Sequence, residues 1–282
     1  MTVRKAVVPA AGLGTRLLPA TLAVPKELLP LDRKPAVHHI VEEAAAAGVE
    51  AVVLVLARGK EAVAQYFFDN PAFRGRVTSP AARALVEEVA RLKARVDIVT
   101  VYQDEPLGLG HAVLTAGSVL GSEPFALMLP DDHFLPSPLP EMIRAEAETG
   151  LGSIALRRVS PAECSRFGIV RVADRTARPL RLTGMVEKPG AEAAPSDLAI
   201  MGRYVLPPEV LGLLRQTPPG VGGEIQVTDA LNRLAASTGM LGVEVPGAVL
   251  DLGTWEGYVA ANVAAAARDP QVRARLSALL SE

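Results

Sequence analysis

Near its start the chain carries two glycines and two cations whose types and spacing suit a polyphosphate. They lie in Ala6-Val7-Val8-Pro9-Ala10-Ala11-Gly12-Leu13-Gly14-Thr15-Arg16 and in Pro25-Lys26-Glu27-Leu28-Leu29-Pro30. Gly12 and Gly14 remove the side chains that would keep backbone N–H groups from a phosphate, and they permit the positive φ angles such a cradle needs. Arg16 adds a planar, permanently charged fork, and Lys26 a compact ammonium that can follow charge as it moves. Pro19, Pro25 and Pro30 argue against a long helix after the glycines and for an irregular loop wrapped over a ligand.

Two common phosphate motifs are excluded by inspection. A P-loop needs Gly-x4-Gly-Lys-Ser/Thr, and a dinucleotide fingerprint needs a third glycine where this chain has Leu17. Taken alone, a Gly-x-Gly turn with a nearby Arg and Lys also fits a tight turn with solvated charges. The joint presence of Thr15, Arg16 and the Pro-Lys-Glu run is what points to a ligand.

A triphosphate site calls for Mg2+, which takes a few hard oxygen ligands and keeps several waters. Asp131 follows the apolar run 125–129, and Asp251 ends the run Ala248-Val249-Leu250, so these two are the candidate metal ligands. An Asp after a strand also serves as a turn residue or helix cap, and Asp132 is assigned to capping. The apolar-run-Pro-Asp-Asp pattern is shared with the metal-binding motif of glycosyltransferases. Arg16 and Lys26 discriminate, because they suit a leaving pyrophosphate that a glycosyltransferase does not produce.

Elements that could position these residues are visible in the hydrophobic pattern. Strand-like runs at 6–10, 51–57, 98–102 and 125–129 alternate with helical patterns at about 36–47, 61–68, 82–94 and 111–120. That rhythm predicts a largely parallel sheet covered by helices on both faces. Ligands bind beyond the carboxyl ends of such strands, where the glycine loop, the 103–111 segment and Pro130-Asp131-Asp132 would converge. From about Gly150 the runs shorten, to 153–159, 168–172, 180–187 and 198–205. A helix near 225–236 follows, then strands near 241–245 and 248–250 and an Ala-rich helical tail from Thr254 to Leu280, broken at Pro270.

With 282 residues, 49% of them hydrophobic, the chain can build an ample core without staples. A formal net charge of -2 without a basic face makes nucleic acid and anionic membrane poor partners. No apolar run reaches the ~18–20 residues of a membrane span, and the N-terminus lacks a signal pattern, so the expected location is cytoplasmic. Cys164 has no second cysteine to pair with and reads as a small semi-buried residue. His38, His39, His111 and His133 match no familiar zinc spacing.

Along nearly its whole length the chain resembles the bacterial UTP:glucose-1-phosphate uridylyltransferases of the sugar nucleotidylyltransferase superfamily. Beyond the two segments above, the resemblance is carried by Leu18-Pro19-Ala20-Thr21, Gly108-Leu109-Gly110-His111-Ala112-Val113, Leu129-Pro130-Asp131 and Val186-Glu187-Lys188-Pro189. Gly202-Arg203-Tyr204-Val205-Leu206 and Gly223-Glu224-Ile225-Gln226-Val227-Thr228-Asp229-Ala230 complete it. It implies an α/β, Rossmann-like nucleotidyltransferase fold of glycosyltransferase-A-like type, with a mixed, mostly parallel central sheet flanked by helices and a smaller sugar-side β subdomain. The implied organisation is one domain over 1–282, with a nucleotide half at about 1–150, a sugar half at about 151–253 and a helical tail at about 254–282.

The resemblance also implies the reaction, transfer of a uridylyl group from UTP to glucose 1-phosphate with Mg2+ on Asp131 and Asp251, in a homodimer or homotetramer. Ala11, Gly12, Gly14, Glu27, Gln103 and Gly108 would surround the nucleotide. Gly168, Glu187 and Lys188 would meet the sugar phosphate, and Arg16, Lys26 and Lys188 would be catalytic. An amide such as Gln103 donates and accepts at once, which matches a pyrimidine edge. The same chemistry with dTTP or another sugar 1-phosphate, and a non-catalytic nucleotide-sugar-binding paralogue, are the alternatives. This chain departs from the family at Leu22 and Leu107, where lysines are expected; both positions being tolerant and an altered substrate preference are the two readings.

Overall fold

The apolar run Lys5–Ala10 is an inner strand of a nine-stranded sheet in the computed structural model, which describes residues 2–68, 70–279 and 281. In order across the sheet the strands are Asp97–Tyr102, Ala51–Leu56, Lys5–Ala10, Phe125–Met128, Leu198–Leu206, Ser153–Arg158, Met240–Glu244, Leu180–Val186 and Ile169–Asp174. The first four are parallel, with Lys5 in register with both Ala51 and Phe125. Strands buried on both faces must be apolar at every position rather than at alternate ones, which is why Ala51–Leu56 reads as one continuous run.

The parallel character ends at Phe125–Met128. Leu198–Leu206 runs antiparallel to it and to Ser153–Arg158, and Leu180–Val186 runs antiparallel to both of its neighbours, while Met240–Glu244 is parallel to Ser153–Arg158. The short link from Asp174 to Leu180 is too brief for a crossover, so it can only join antiparallel neighbours. The strands after Gly150 thus extend the first sheet and share its two cores. Side chains alternate across it: Ala6, Val8 and Ala10 enter one core with Val37 and Ile40, and Val7 enters the other with Val53 and Leu127.

The prolines act as expected. After Gly14 come three single-turn 3-10 helices, Thr15–Leu17, Ala20–Leu22 and Lys26–Leu28, and a regular α-helix begins only at Ala36. The 61–68 pattern forms one α-helical turn, Ala62–Gln65, and the 111–120 pattern starts earlier, at Gly108, and splits into Gly108–Thr115 and Gly117–Leu120. Two helices, Trp255–Ala266 and Pro270–Leu279, make the tail, and Ala261 docks the first in a small cluster with Leu31, Ala36 and Leu252. Leu280 and Glu282, at the end of the expected tail, lie outside the described residues. Among the described residues no helix is long and apolar enough to cross a membrane.

A two-stranded ladder outside the main sheet matters most for the site. Asp132–Leu135 pairs antiparallel with Ala248–Asp251, and its register sets Asp251 opposite Asp132. Two acidic residues distant in sequence are thereby brought to one place.

Candidate active site

The glycine loop leaves the Lys5–Ala10 strand at its carboxyl end. Gly14 sits at φ 71°, which a side chain resists, and a Cβ there would stand 3.1 Å from Thr21 Cγ2, while the Thr21 hydroxyl donates to the Gly14 carbonyl at 2.9 Å. Gly12 is exposed, and no atom lies within 4 Å of where its Cβ would be. Its neighbour Ala11 is half-buried, so the loop backbone between them is open to a ligand.

Behind this loop stands a residue that the sequence reading passed over. Lys60 Nζ donates to the Gly12 carbonyl at 2.9 Å and lies 2.7 Å from Glu27 Oε2, whose side chain is fully buried. Burial lowers the Lys60 pKa, and the Glu27 charge opposes that fall. The fully buried Glu27 carboxylate forms an ion pair with Lys60, which in turn donates to the glycine loop. Lys60 follows the carboxyl end of the Ala51–Leu56 strand, the same position that singled out the other loops.

Lys26 points the other way, donating to Asp131 Oδ2 at 3.1 Å, and Arg16 reaches the same oxygen at 3.8 Å. Burial works to raise the Asp131 carboxyl, but the Lys26 charge and hydrogen bond, with Arg16 behind them, hold it below the ordinary carboxylate range. Burial, then the charge of Asp131, push Asp132 up to about 6. Asp132 is not a helix cap. It opens a strand, and its Oδ2 accepts from Gly202 N, on the Leu198–Leu206 strand of the main sheet, at 2.7 Å.

Asp251 accepts from Gly253 N at 2.7 Å through Oδ1 and from the Thr254 hydroxyl at 2.7 Å through Oδ2, so it does make the local turn contacts of a capping Asp. Its place beside Asp131 is added by the ladder and by Leu252 N donating to Asp131 O at 2.7 Å. Between them lies Gly253. A Cβ there would stand 3.2 Å from Arg16, from Asp131 Oδ2 and from Asp251 Oδ1 alike. The missing side chain leaves a space bordered by two carboxylate oxygens, and hard anionic oxygens around a small opening fit a divalent cation.

Gln103 is nearly buried, and its amide nitrogen donates to Gly108 O at 3.1 Å and meets His111 Nδ1 at 3.0 Å. An amide nitrogen has no lone pair to offer, so Nδ1 accepts and His111 carries its proton on Nε2. Both donors are spent, and among the described residues no donor meets the amide oxygen. Gly108, at φ 90°, would place a Cβ 2.7 Å from Glu224 Cβ, and Gly110 one 2.6 Å from Ile225 O. The Gly-Leu-Gly and Glu-Ile-Gln segments are two sides of one close contact, closed by Ile225 N donating to Leu107 O at 2.8 Å. Leu22 is 80% exposed.

A cleft of about 1080 Å3 is lined at one end by Arg16, Asp131 and Asp251 and at the other by Gly168, Glu187 and Lys188, while Gly12, Gly14, Lys26, Gln103 and Gly108 are not among its lining residues. A Cβ at Gly168 would come 3.3 Å from Glu187 Oε2, which accepts from the Thr228 hydroxyl at 2.8 Å. Lys188 has φ 45° and an exposed ammonium 3.4 Å from Glu187 Oε1. Arg157 and Arg166, both unforeseen, also line this end, with their guanidinium carbons 5.7 Å and 5.6 Å from the Phe167 ring centre.

Residues 5–268 match the family model described as Nucleotidyl transferase. The UTP–glucose-1-phosphate uridylyltransferase of Bacillus subtilis (strain 168) is 38% identical over 276 residues, covering 97% of this chain and 94% of the relative. A UTP-bound UGPase from Acinetobacter baumannii superposes with a TM-score of 0.90 at 34% identity over 99% of both chains. A UDP-glucose pyrophosphorylase complexed with UDP-glucose superposes with a TM-score of 0.83 at 36% identity, over 93% of this chain and 98% of that one.

Proposed function

The chain belongs to the nucleotidyl transferase family, and from that premise we propose that it transfers the uridylyl group of UTP to glucose 1-phosphate, giving UDP-glucose and pyrophosphate. The observation that carries this reading is the opening at Gly253, which gathers Arg16, Asp131 and Asp251 at one end of the cleft that ends at Glu187 and Lys188. A cation-rich anion site and a polar sugar site within one cleft suit two phosphate-bearing substrates.

The nucleotide lies against the backbone of Ala11, Gly12 and Gly14, with its triphosphate on Arg16 and Lys26. The free oxygen of Gln103 accepts the N3–H of the base, and Gly108 lets the backbone approach it. Glu27 serves this pocket through Lys60. Glu187 accepts from sugar hydroxyls beside Gly168, and Lys188 holds the sugar phosphate.

A phosphate oxygen of glucose 1-phosphate attacks the α-phosphorus in line with the departing pyrophosphate. That oxygen is already ionised, so no general base is needed, and catalysis rests on holding two anions together and offsetting their charge. Enzymes of this family generally use a divalent metal; Mg2+ held by Asp131 and Asp251 would neutralise charge on the phosphates. Lys26 supports the same charge from the side of the leaving group as its contact with Asp131 loosens.

The test is pyrophosphate release from each nucleoside triphosphate with a panel of sugar 1-phosphates, with and without Mg2+. UTP with glucose 1-phosphate and Mg2+ is expected to be the fastest combination. Silence across the panel from folded protein would refute the reading, and a faster dTTP reaction would replace its nucleotide.

A further inference from the structure

We infer that Arg203, oriented by Glu43, is a positioning residue for Asp131. The inference rests on reading Asp131 as a metal ligand. Arg203 is 1% exposed, the largest of the fully buried side chains, and it lies at the Asp132 end of the cleft rather than in it. Its NH1 donates to Leu129 O at 2.8 Å and to Gly202 O at 2.8 Å, and its NH2 donates to Asp132 O at 2.8 Å. The carbonyls of Leu129 and Asp132 bracket Pro130-Asp131, so one rigid cation grips the chain on both sides of the carboxylate.

The guanidinium is itself held. Glu43 takes its Nε at 2.9 Å and its NH2 at 2.8 Å in a two-pronged pair, and the Phe134 ring lies 4.6 Å from its central carbon. The Ser137 hydroxyl donates to Glu43 Oε1 at 2.6 Å. A planar fork can satisfy a carboxylate on one edge and carbonyls on another at once, which an ammonium cannot do. Burying a charge only to support packing is costly, because apolar residues of the same volume do that at least as well. A buried cation that fixes the backbone next to a carboxylate has a use that apolar packing cannot supply.

The experiment compares Glu43→Gln and Arg203→Lys with the parent chain, each first shown to be folded by circular dichroism and thermal melting. Steady-state pyrophosphate release gives kcat and KM, and electron paramagnetic resonance measures Mn2+ binding directly in the presence of UTP. Expected are a fall of about tenfold or more in kcat and in Mn2+ affinity, with KM for both substrates within about twofold. If folded variants keep kcat and Mn2+ affinity within about twofold of the parent, the cluster is packing alone and the inference is overturned. A rate that falls only with the folded fraction overturns it as well. Should either variant not fold, Ser137→Ala, which removes one hydrogen bond from Glu43, decides by the same readouts. A parent chain inactive with UTP and glucose 1-phosphate would sink the proposed reaction, while Mn2+ binding would still judge the role of Arg203.

Discussion

Lys26 Nζ and Asp131 Oδ2 lie 3.1 Å apart, joining the loop after the glycines to the loop after Phe125–Met128. The ammonium thus already rests against the carboxylate that borders the Gly253 opening. Lys26→Met leaves that carboxylate with the more distant Arg16 as its remaining cation contact among the described residues. We expect kcat to fall about 10²- to 10³-fold, with the fold retained. Asp131→Asn should fall comparably, and steady-state assays of both variants check this.

Gly253→Ala probes the opening without removing any functional group. Its methyl would stand 3.2 Å from Arg16, Asp131 and Asp251. The expected result is a loss of about ten- to a hundredfold in kcat and a higher Mg2+ requirement, with an unchanged far-ultraviolet spectrum. A variant with parental Mg2+ dependence would show that the opening holds no cation.

The Lys60–Glu27 pair is buried, at 12% and 0% side-chain exposure. Lys60→Met leaves an uncompensated carboxylate in the core and should cost about 3–5 kcal/mol in urea unfolding. Adding Glu27→Gln removes that charge and should recover most of the loss. Both variants lose the donor to Gly12 O, so both are expected to show a raised KM for UTP.

His38 is buried, and its Nδ1 shares a hydrogen bond with the Tyr66 hydroxyl at 3.0 Å. Burial, then the charge of Lys34, lower its pKa against the pull of Glu42, with His39 and Glu88 as lesser influences. Lys34 Nζ fills the space between the nearby carboxylates, 2.5 Å from Glu88 and 3.2 Å from Glu42. The unfolded histidine titrates at about 6.5, so on acidification the unfolded chain takes up the proton first. The contribution of His38 to stability is therefore complete above that pH and lost as pH falls toward the depressed folded value. Urea midpoints should drop between neutral and mildly acidic pH, and His38→Gln should flatten that drop.

Local chemistry was legible in the residues themselves. Gly12, Gly14, Arg16 and Lys26 announce an anion loop because glycine permits positive φ and the two cations suit phosphate. Pro19, Pro25 and Pro30 forbid the helix that would otherwise follow. The run Ala51–Leu56 reads as a strand because burial on both faces demands apolar residues at every position. Asp131 and Asp251 were legible as carboxylates closing apolar runs, and their pairing on one Mg2+ was expected from what a triphosphate requires and from the family resemblance.

What the tertiary structure decided is which distant residues meet. Asp251 stands beside Asp131 through the register of Ala248–Asp251 on Asp132–Leu135 and the hydrogen bond from Leu252 N to Asp131 O. Lys60 meets Glu27 as a buried ion pair behind the glycine loop, and Arg203 reaches Glu43 from a strand far along the chain. Asp132, adjacent to a candidate ligand, spends its carboxylate on Gly202 N, and the importance of Gly253 lies wholly in three groups around it. Sequence by itself determined what each segment can do, because backbone freedom, charge and apolar pattern are local properties. Only the folded sheet decided which of those capacities act together, because strand register and burial depend on residues far apart in the chain.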